Sequence, residues 1–463
     1  MKTIIETTPK FDLTVKDIEK LPTELAQYAV IYQDLFGRRE QKEHYQTYLE
    51  GLLLDVPNKS VETMMLNLNG DDPNAIRNMQ HFLSEGSWQD KEILSRHWQE
   101  VSHDLGDEKG VLIGDGSSFP KQGEERVAVK RQWCGELGKV ANCQVGVFLG
   151  YASQHGRTLL DRRLYLPQEW VEAEAYAERR RKCGIPEQIT FKTKPTLLLE
   201  MVKEVDADGS LPFQWLACDE AFGRDTAFLD QVGDYLWYFA EVENDTRVWL
   251  DRPQTAVPKG SRRGRKPTRE QLVAGEPEAQ EVNVIAASLP TDAWTRHTIK
   301  EGSKGTLAAD FAALRVVAVR DGLPGPEVWL VLRRNPTDGE VKYYLSNAPT
   351  ATELHTFAWV SGMRWPIETC FEEGKQELGL GDYQVRSWTG WHHHMTLCIL
   401  AHFFLVRLQI RLKDKAPNLT LPQAILLLKA TLEQPQLDAQ KAIEIVNCYS
   451  SDGNGHGLQT ERE

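Results

Sequence analysis

Two aspartates end short apolar runs of the sequence, and a glutamate opens an amphipathic segment much later in the chain. Asp115 follows Val-Leu-Ile-Gly, Asp219 follows Trp-Leu-Ala-Cys, and Glu368 follows Arg-Trp-Pro-Ile. Carboxylate oxygens are the ligands that Mg²⁺ prefers in proteins, alongside waters and substrate phosphates. Two such ions about 3.5–4 Å apart stabilise the attacking and leaving oxygens of a phosphoryl transfer. The three acids are therefore candidate metal ligands for phosphoryl-transfer chemistry.

Each of these acids also has an ordinary structural explanation. Asp115 opens an Asp-Gly-Ser sequence that suits a turn, and Asp219 suits a turn or a helix N-cap. Glu368 could form the i,i+3 or i,i+4 charge pairs that are common on surface helices. Glu372 lies one helical turn after Glu368 and is the strongest rival for the third position. Taken singly, either aspartate is better explained as a turn or capping residue.

A helix is predicted for the segment that carries Glu368. Its apolar residues recur at helical spacing, and they are Ile367, Phe371 and Leu378. Pro366 suits the first helical position, and it should move the preceding Trp365 away from helical geometry, so that a boundary falls here. Glu368 then lies in the first turn, where the helix dipole favours a carboxylate. Lys375 shares its face but lies about two turns and roughly 10 Å further along the axis, too far for direct pairing.

The elements that must position these acids alternate between strand and helix patterns in the middle of the chain. Residues 12 to 104 have helical hydrophobic spacing and predict a separate helical domain. The later segments follow in this order: strands at 111–113, 143–151 and 158–166, helices at 169–181 and 194–205, a strand at 214–218, a short helix at 225–232, and a strand at 236–242. This is the order of an α/β domain with a mixed sheet, and the Gly-rich signatures of nucleotide-binding folds are missing.

A second group of strand-like runs separates this α/β region from the helix with Glu368. These runs lie at 316–320, 327–333 and 341–346, and they predict a β-rich insertion. A basic loop precedes them, in which glycines and prolines alternate with six cations: Lys259, Arg262, Arg263, Arg265, Lys266 and Arg269. The loop is either a solvated, disordered insertion or a segment that contacts DNA phosphates and orders on binding.

Composition excludes some classes of protein. A chain of 463 residues is expected to form two or three domains, and its net charge of −13 argues against a surface uniformly coated for nucleic acid. The seven cysteines form no CxxC pair, which indicates reduced intracellular thiols. The N-terminus lacks a signal-peptide core, and the apolar run from Leu397 to Leu408 is too short to span a membrane. We expect a soluble, cytoplasmic protein without a membrane partner.

Three consecutive histidines, His392 to His394, open the last long apolar segment. Because consecutive residues on a helix point in different directions, the three cannot converge on one metal ion. We expect polar or DNA-facing positions for them.

Several stretches together carry a family resemblance. They are Ile-Gly-Asp-Gly-Ser-Ser-Phe-Pro-Lys-Gln-Gly at 113–123, Arg-Gln-Trp-Cys-Gly at 131–135, Gly-Lys-Val-Ala-Asn-Cys-Gln at 138–144, Asp-Glu-Ala-Phe-Gly-Arg-Asp at 219–225, Arg-Trp-Pro-Ile-Glu at 364–368, and Tyr-Gln-Val-Arg-Ser-Trp-Thr-Gly-Trp-His at 383–392. In this order they resemble the DDE transposases of bacterial insertion sequences, in the IS4-like superfamily and most closely the IS701-like group. The resemblance covers about residues 12 to 440. In that superfamily the third acid lies in a Tyr-x₂-Arg-x₃-Glu-x₆-Lys signature, which Arg364, Glu368 and Lys375 match, whereas Ser361 replaces the tyrosine.

The resemblance implies a fold and a set of site residues. The fold is α/β, with an RNase H-like mixed-sheet catalytic core that a β-rich insertion interrupts, and with an N-terminal helical domain. The implied regions are a helical DNA-binding domain at 1–105, the first part of the core at 106–245, the insertion at 246–350, the second part of the core at 351–440, and a tail at 441–463. Asp115, Asp219 and Glu368 are implied as catalytic ligands of two Mg²⁺ ions, with Mn²⁺ as a substitute. The implied DNA contacts, besides the basic loop, are Arg364, Lys375, Lys121, Arg131 and Trp365.

The function implied is transposition. The protein would bind terminal inverted repeats, hydrolyse the element end to free a 3′-OH, and join that hydroxyl to target DNA, as a homodimer on DNA. A DNA nuclease with the same core but no strand transfer is one alternative. A domesticated DNA-binding protein that no longer cuts is the other, although the presence of all three acids weighs against it.

Overall fold

Six helices open the part of the chain that this computed structural model describes, which comprises residues 11–70, 72, 74–258, 268–302, 305–417 and 419–432. They are α1 (Val15–Ile18), α2 (Leu21–Gln33), α3 (Arg39–Leu52), α4 (Val61–Leu68), α5 (Ala75–Ser84) and α6 (Asp90–Leu105). In α5 the buried residues fall at helical spacing, as Ile76, Met79 and Leu83 illustrate. The predicted helical character of this region is confirmed.

Four strands follow the helices. They are β1 (Val111–Pro120), β2 (Lys130–Cys134), β3 (Lys139–Ser153) and β4 (Gly156–Tyr165). The apolar pattern predicted that β1 would stop before Asp115, and this is wrong. The strand continues because its antiparallel ladder with β3 runs as far as the pair Pro120–Cys143. Asp115 therefore lies within a strand and not in a turn.

Helices and two short central strands complete the first α/β region. They are α7 (Gln168–Glu172), α8 (Ala177–Lys182), α9 (Lys194–Asp208), β5 (Trp215–Cys218), α10 (Glu220–Gly223), α11 (Thr226–Gly233) and β6 (Trp237–Val242). Strand β5 lies between β1 and β6 and runs parallel to both. Helix α9 packs closely on the sheet, because a Cβ at Gly114 would lie 2.1 Å from Leu198 Cδ2. The local order is therefore β4–β3–β1–β5–β6.

The region between β6 and the next long helix is rich in strands, as predicted. Its elements are β7 (Arg247–Trp249), β8 (Thr255–Ala256), β9 (Gln271–Leu272), β10 (Gln280–Glu281), α12 (Val282–Ser288), β11 (Thr295–Gly302), β12 (Gly305–Arg320), β13 (Leu323–Arg334) and β14 (Val341–Ser346). Strand β14 pairs with β6, so within the described residues twelve strands form one continuous mixed sheet. Five of the six cations of the predicted basic loop, Lys259, Arg262, Arg263, Arg265 and Lys266, lie outside the described residues, and the sixth, Arg269, is exposed.

Four helices close the described chain. They are α13 (Leu354–Gly362), α14 (Pro366–Glu377), α15 (Trp388–Leu412) and α16 (Leu421–Lys429). Helix α14 begins at Pro366, which confirms the predicted boundary. Trp365 nevertheless has helical φ and ψ of −63° and −27°, so its predicted extended geometry is wrong. The residue before a proline is biased against this region but not excluded from it.

Helix α15 is buried along most of its length at the centre of the molecule. It packs against β4 and against α3, α5 and α6, so the N-terminal helices and the sheet share one continuous hydrophobic core. By length and composition α15 could cross a membrane, but most of it is enclosed by the protein, as in core helices of soluble proteins. A soluble protein is consistent with this arrangement.

The three histidines at the start of α15 are buried, and the prediction that they face solvent or DNA is wrong. His392 Nδ1 lies 2.9 Å from Trp388 O, His393 Nδ1 lies 2.8 Å from Leu83 O, and His394 Nδ1 lies 2.7 Å from the Tyr48 hydroxyl. A helix covered on all sides has no polar face, so its polar residues must find partners inside the protein.

Candidate active site

Two of the predicted acids are adjacent across the sheet. The parallel register of β1 and β5 ends at the pair Gly114–Cys218, and Asp115 and Asp219 are the next residues on each side. Asp219 also caps α10, because its Oδ1 accepts a hydrogen bond from the Ala221 N–H at 3.1 Å. Asp115 within β1 and Asp219 directly after β5 are thus held in fixed positions beside one another.

The third predicted acid faces the same place from a helix. Glu368 lies in the first turn of α14, and that helix packs against β1 and β3. Asp115, Asp219 and Glu368 all line one open cleft of about 630 Å³. Glu372 is exposed, does not line this cleft, and has its Oε1 3.5 Å from Gln376 Nε2. The structure thus brings together the three acids of the predicted set and leaves the rival outside.

A buried carboxylate that the sequence analysis did not identify also lines the cleft. Glu241 lies on β6 and is 6 % exposed, and Ala240 before it pairs with Cys218 of β5. Asp115, Asp219 and Glu241 therefore form a row across three neighbouring parallel strands. The available signal was a charged residue inside the apolar run Trp-Tyr-Phe-Ala-Glu-Val, since buried charges are rare unless they are paired.

The Arg364 guanidinium lies among these acids. Its Nη2 is 2.9 Å from Glu368 Oε1, its Nε is 3.6 Å from Glu241 Oε2, and its Nη1 is 4.0 Å from Asp115 Oδ2. The guanidinium therefore partly neutralises Glu368, Glu241 and Asp115. The sequence analysis predicted that Arg364 contacts DNA. In the structure Arg364 pairs with Glu368, four residues later in the chain, as in the ordinary i,i+4 explanation of that acid.

The electrostatics of the cleft favour a further cation. Burial, followed by the charge of Asp219, raises the pKa of Asp115 to about 7, although Arg364 opposes the shift. Burial likewise raises the pKa of Asp219. Desolvated carboxylates with like-charged neighbours are stabilised when a cation joins them.

The donor set of the cleft fits hard divalent ions, since its protein ligands are all oxygens. Among the described residues, Asp115, Asp219 and Glu368 do not form a group whose ligand oxygens all lie within 4.8 Å of one another. Two ions about 3.5–4 Å apart spread their ligands more widely than a single ion does. The looser spacing is therefore compatible with two metals.

A charged network behind α14 fixes the orientation of that helix. Glu373 pairs with Arg157 of β4 at 2.6 Å and with His402 Nε2 of α15 at 3.0 Å. Burial lowers the pKa of His402, but contacts with Cys370 and Glu373 outweigh burial and raise it to about 9. These contacts favour the protonated imidazole, and they anchor α14 from the side opposite the cleft.

Lys375 is tied to β1 and to the turn after β2. Its Nζ donates to Ser118 O at 2.9 Å, pairs with the carboxylate of Glu136, and lies 5.0 Å from the centre of the Phe119 ring. The prediction that Lys375 does not pair with Glu368 is confirmed. Its Nζ still lines the cleft, and its contact with DNA stays a prediction.

The other predicted DNA contacts lie in different environments. Arg131 is exposed on β2, and Trp365 is 45 % exposed with the Arg333 guanidinium 5.2 Å from its ring. Lys121 is partly buried and donates to Gly381 O at 2.7 Å. Burial lowers the pKa of Lys121 to about 7. The structure therefore brings Arg364 and Lys375 to the cleft, whereas Lys121 makes an internal contact.

Acids on neighbouring strands of a mixed α/β sheet, faced by a helix with a further acid, are typical of enzymes that cleave phosphodiesters with carboxylate-bound metals. Comparison with protein-family models matches the chain to the DDE superfamily endonucleases over residues 32–306. This is more than half of the chain, which therefore belongs to that family. Members typically use divalent metals, and DNA is the substrate the family implies. No curated protein matches the chain.

The family match covers the strands that carry the candidate acids, but it ends before α14. Asp115, Asp219 and Glu241 lie inside the matched residues, and Glu368 lies beyond them. The assignment of Glu368 therefore rests on its position in the cleft and on its pairing with Arg364.

Proposed function

We propose that this protein is the DNA transposase of a bacterial insertion sequence, in the IS4-like superfamily and nearest to the IS701-like group. The observation that carries the proposal is the cleft in which Asp115, Asp219 and Glu368 meet beside Arg364. A cytoplasmic location follows from this function.

An RNase H-like core is part of the proposal. The strand order β4–β3–β1–β5–β6 supports it, since β1, β5 and β6 are parallel while β3 and β4 each run antiparallel to their neighbours. The strands β7 to β14 would then be an insertion between the second and third acids. The division of the chain at residues 105, 245, 350 and 440 is proposed on the same basis.

Asp115, Asp219 and Glu368 would hold two Mg²⁺ ions, for which Mn²⁺ would substitute, and bound ions supply activation of the attacking oxygen and stabilisation of the leaving oxygen. The remaining roles belong to side chains of the cleft. Arg364 presents a planar fork with several N–H donors, which suits a phosphate of the scissile strand. Lys375 places a second positive charge on the same side, held by Ser118 O.

DNA would be held by more than the cleft. We propose that the N-terminal helices bind the terminal inverted repeats, that the basic loop from Lys259 to Lys266 contacts phosphates, and that Arg131 and Trp365 contribute from exposed positions. Joining of two element ends requires both ends in one complex, so we propose a homodimer on DNA.

A strand-transfer assay tests the function. Labelled duplexes that carry the inverted repeats flanking the gene would be incubated with the protein, Mg²⁺ or Mn²⁺, and a target plasmid. We expect nicks with 3′-OH ends and then joined products. Asp115→Asn, Asp219→Asn and Glu368→Gln should each bind the ends and yield neither product, whereas the control Glu372→Gln should yield both.

Two other outcomes would contradict the proposal in distinct ways. Cleavage without joined products would favour a DNA nuclease with the same core. Specific end binding without cleavage by the unaltered protein would favour a DNA-binding protein that no longer cuts.

A further inference from the structure

The buried acid Glu241 has no assigned role in the cleft. It continues the row of acids across β1, β5 and β6, one strand beyond Asp219. Its side chain is only 7 % exposed to solvent, which makes it the most buried acid of the row. Asp115 is 14 % exposed and Glu368 is 52 % exposed. Burial of this degree requires an explanation, since an unpaired carboxylate in such a place is strongly destabilising.

Both oxygens of Glu241 already have cationic partners. Oε1 accepts from Lys342 Nζ of β14 at 2.8 Å, and Oε2 lies 3.6 Å from Arg364 Nε. The two oxygens of a metal ligand must be at least partly available to the ion, and this carboxylate is shared between two protein cations. Glu241 is therefore better suited to hold a cationic side chain than to bind a metal.

Two of the three acids that pair with Arg364 are also proposed to bind metal ions, and Glu241 is not. Those two acids are Glu368 and Asp115. Divalent ions at those carboxylates would repel the guanidinium, because like charges at such distances disfavour each other strongly in a partly buried site. Glu241 is the acid partner that remains to Arg364 when the other two are engaged.

We propose that Glu241 is a positioning residue that holds the Arg364 guanidinium beside the metal-binding acids and prevents it from occupying their place. The inference rests on the proposed metal site. With the ion pair between Nε and Glu241 retained, the two terminal nitrogens of Arg364 are left to turn from Glu368 and Asp115 toward a phosphate. Lys342 fixes the second oxygen of Glu241, so the strand β14 contributes to the placement of Arg364 without reaching the metals.

Metal titration of the full-length protein tests this role without DNA cleavage. Mn²⁺ binding would be measured by calorimetry for the unaltered protein, Glu241→Gln, Arg364→Gln and the double variant. Without its anchor, Arg364 should compete with Mn²⁺ for Glu368 and Asp115, so Glu241→Gln should weaken binding by about tenfold. In the Arg364→Gln background, Glu241→Gln should cause no further loss, because the competing guanidinium is gone.

The controls separate this inference from the metal site itself. Glu243→Gln removes an exposed carboxylate two residues away and should leave Mn²⁺ affinity unchanged. Asp115→Asn should abolish tight binding, and if it does not, the proposed metal site is wrong independently of Glu241. If Glu241→Gln alone fails to fold, Glu241→Gln with Lys342→Met removes the unpaired ammonium as well and carries the same expectation.

Two results would overturn the role of Glu241. An equal loss of affinity in the presence and absence of Arg364 would make Glu241 a direct metal ligand. Unchanged affinity in a folded Glu241→Gln protein would show that Arg364 does not need this anchor.

Discussion

His97 should make the stability of the protein depend on pH in a way that one substitution can isolate. The side chain is fully buried on α6, and its Nε2 lies 2.8 Å from Leu159 O of β4. Its Nδ1 is buried without a hydrogen-bond partner among the described residues. Burial lowers the pKa of His97 to about 4, and the nearby charge of His402 acts in the same direction. The neutral imidazole, with its proton on Nε2, is therefore the form that fits the fold.

The sign and size of the effect follow from the two pKa values. In the unfolded chain His97 is protonated below about pH 6.5, whereas in the folded protein it is protonated only below about pH 4. The stability that the neutral His97 contributes is therefore lost as the pH falls from about 6.5 to about 4. From pH 8 to pH 5 the loss amounts to about 2 kcal/mol of unfolding free energy. In His97→Gln this loss is absent. The variant should be less stable than the unaltered protein at pH 8, and that deficit should shrink by about 2 kcal/mol at pH 5.

Urea unfolding followed by tryptophan fluorescence at both pH values measures the deficit. His155→Gln, which removes an exposed histidine between β3 and β4, is the matched control. A deficit of His97→Gln that is the same at pH 8 and pH 5 would refute the reasoning, because His97 would then titrate alike in the folded and unfolded states.

Three further predictions concern the proposed chemistry and DNA contacts. Glu368→Gln should abolish end cleavage and spare end binding in a gel-shift assay, and retained cleavage would transfer the role to Glu372. Lys375→Ala should weaken binding of pre-cleaved ends while lowering the melting temperature little. The reason is that partly exposed ion pairs, such as that between Lys375 and Glu136, contribute about 0–1 kcal/mol to stability. Normal binding of the ends with a marked loss of stability would make Lys375 structural. Neutralising Lys259, Arg262 and Arg263 should reduce the log–log salt slope of duplex binding by about 0.9 per lost phosphate contact, and an unchanged slope would leave the loop as a linker.

The family resemblance, together with local sequence signals, indicated the candidate acids. Asp219 ends a four-residue apolar strand, and Glu368 lies two residues after a proline that begins a helix. Both signals are contained in a few neighbouring residues. The predicted strand before Asp115 was too short because the ladder that extends β1 is formed with β3, about thirty residues away in the chain.

Features that depend on distant partners were not predictable. Glu241 becomes a cleft residue because β6 lies beside β5, and its partners Lys342 and Arg364 come from elements about a hundred residues later. The histidines of α15 were misassigned for the same reason. His393 and His394 contact Leu83 and Tyr48, and no local pattern indicates that a polar residue will meet a carbonyl or hydroxyl from the first hundred residues.

The central position of α15 has a consequence for biosynthesis. Contacts such as the hydrogen bond from the Tyr28 hydroxyl to Leu400 O join the first helices to a segment that the ribosome makes much later. Residues 106 to 387 must be added between the end of α6 and the start of α15, which takes roughly 15–60 s at about 5–20 residues per second. During that interval the apolar sides of α3, α5 and α6 that α15 will cover remain exposed on the nascent chain. Chaperone capture during translation, and aggregation of fragments that stop before α15, are the expected results.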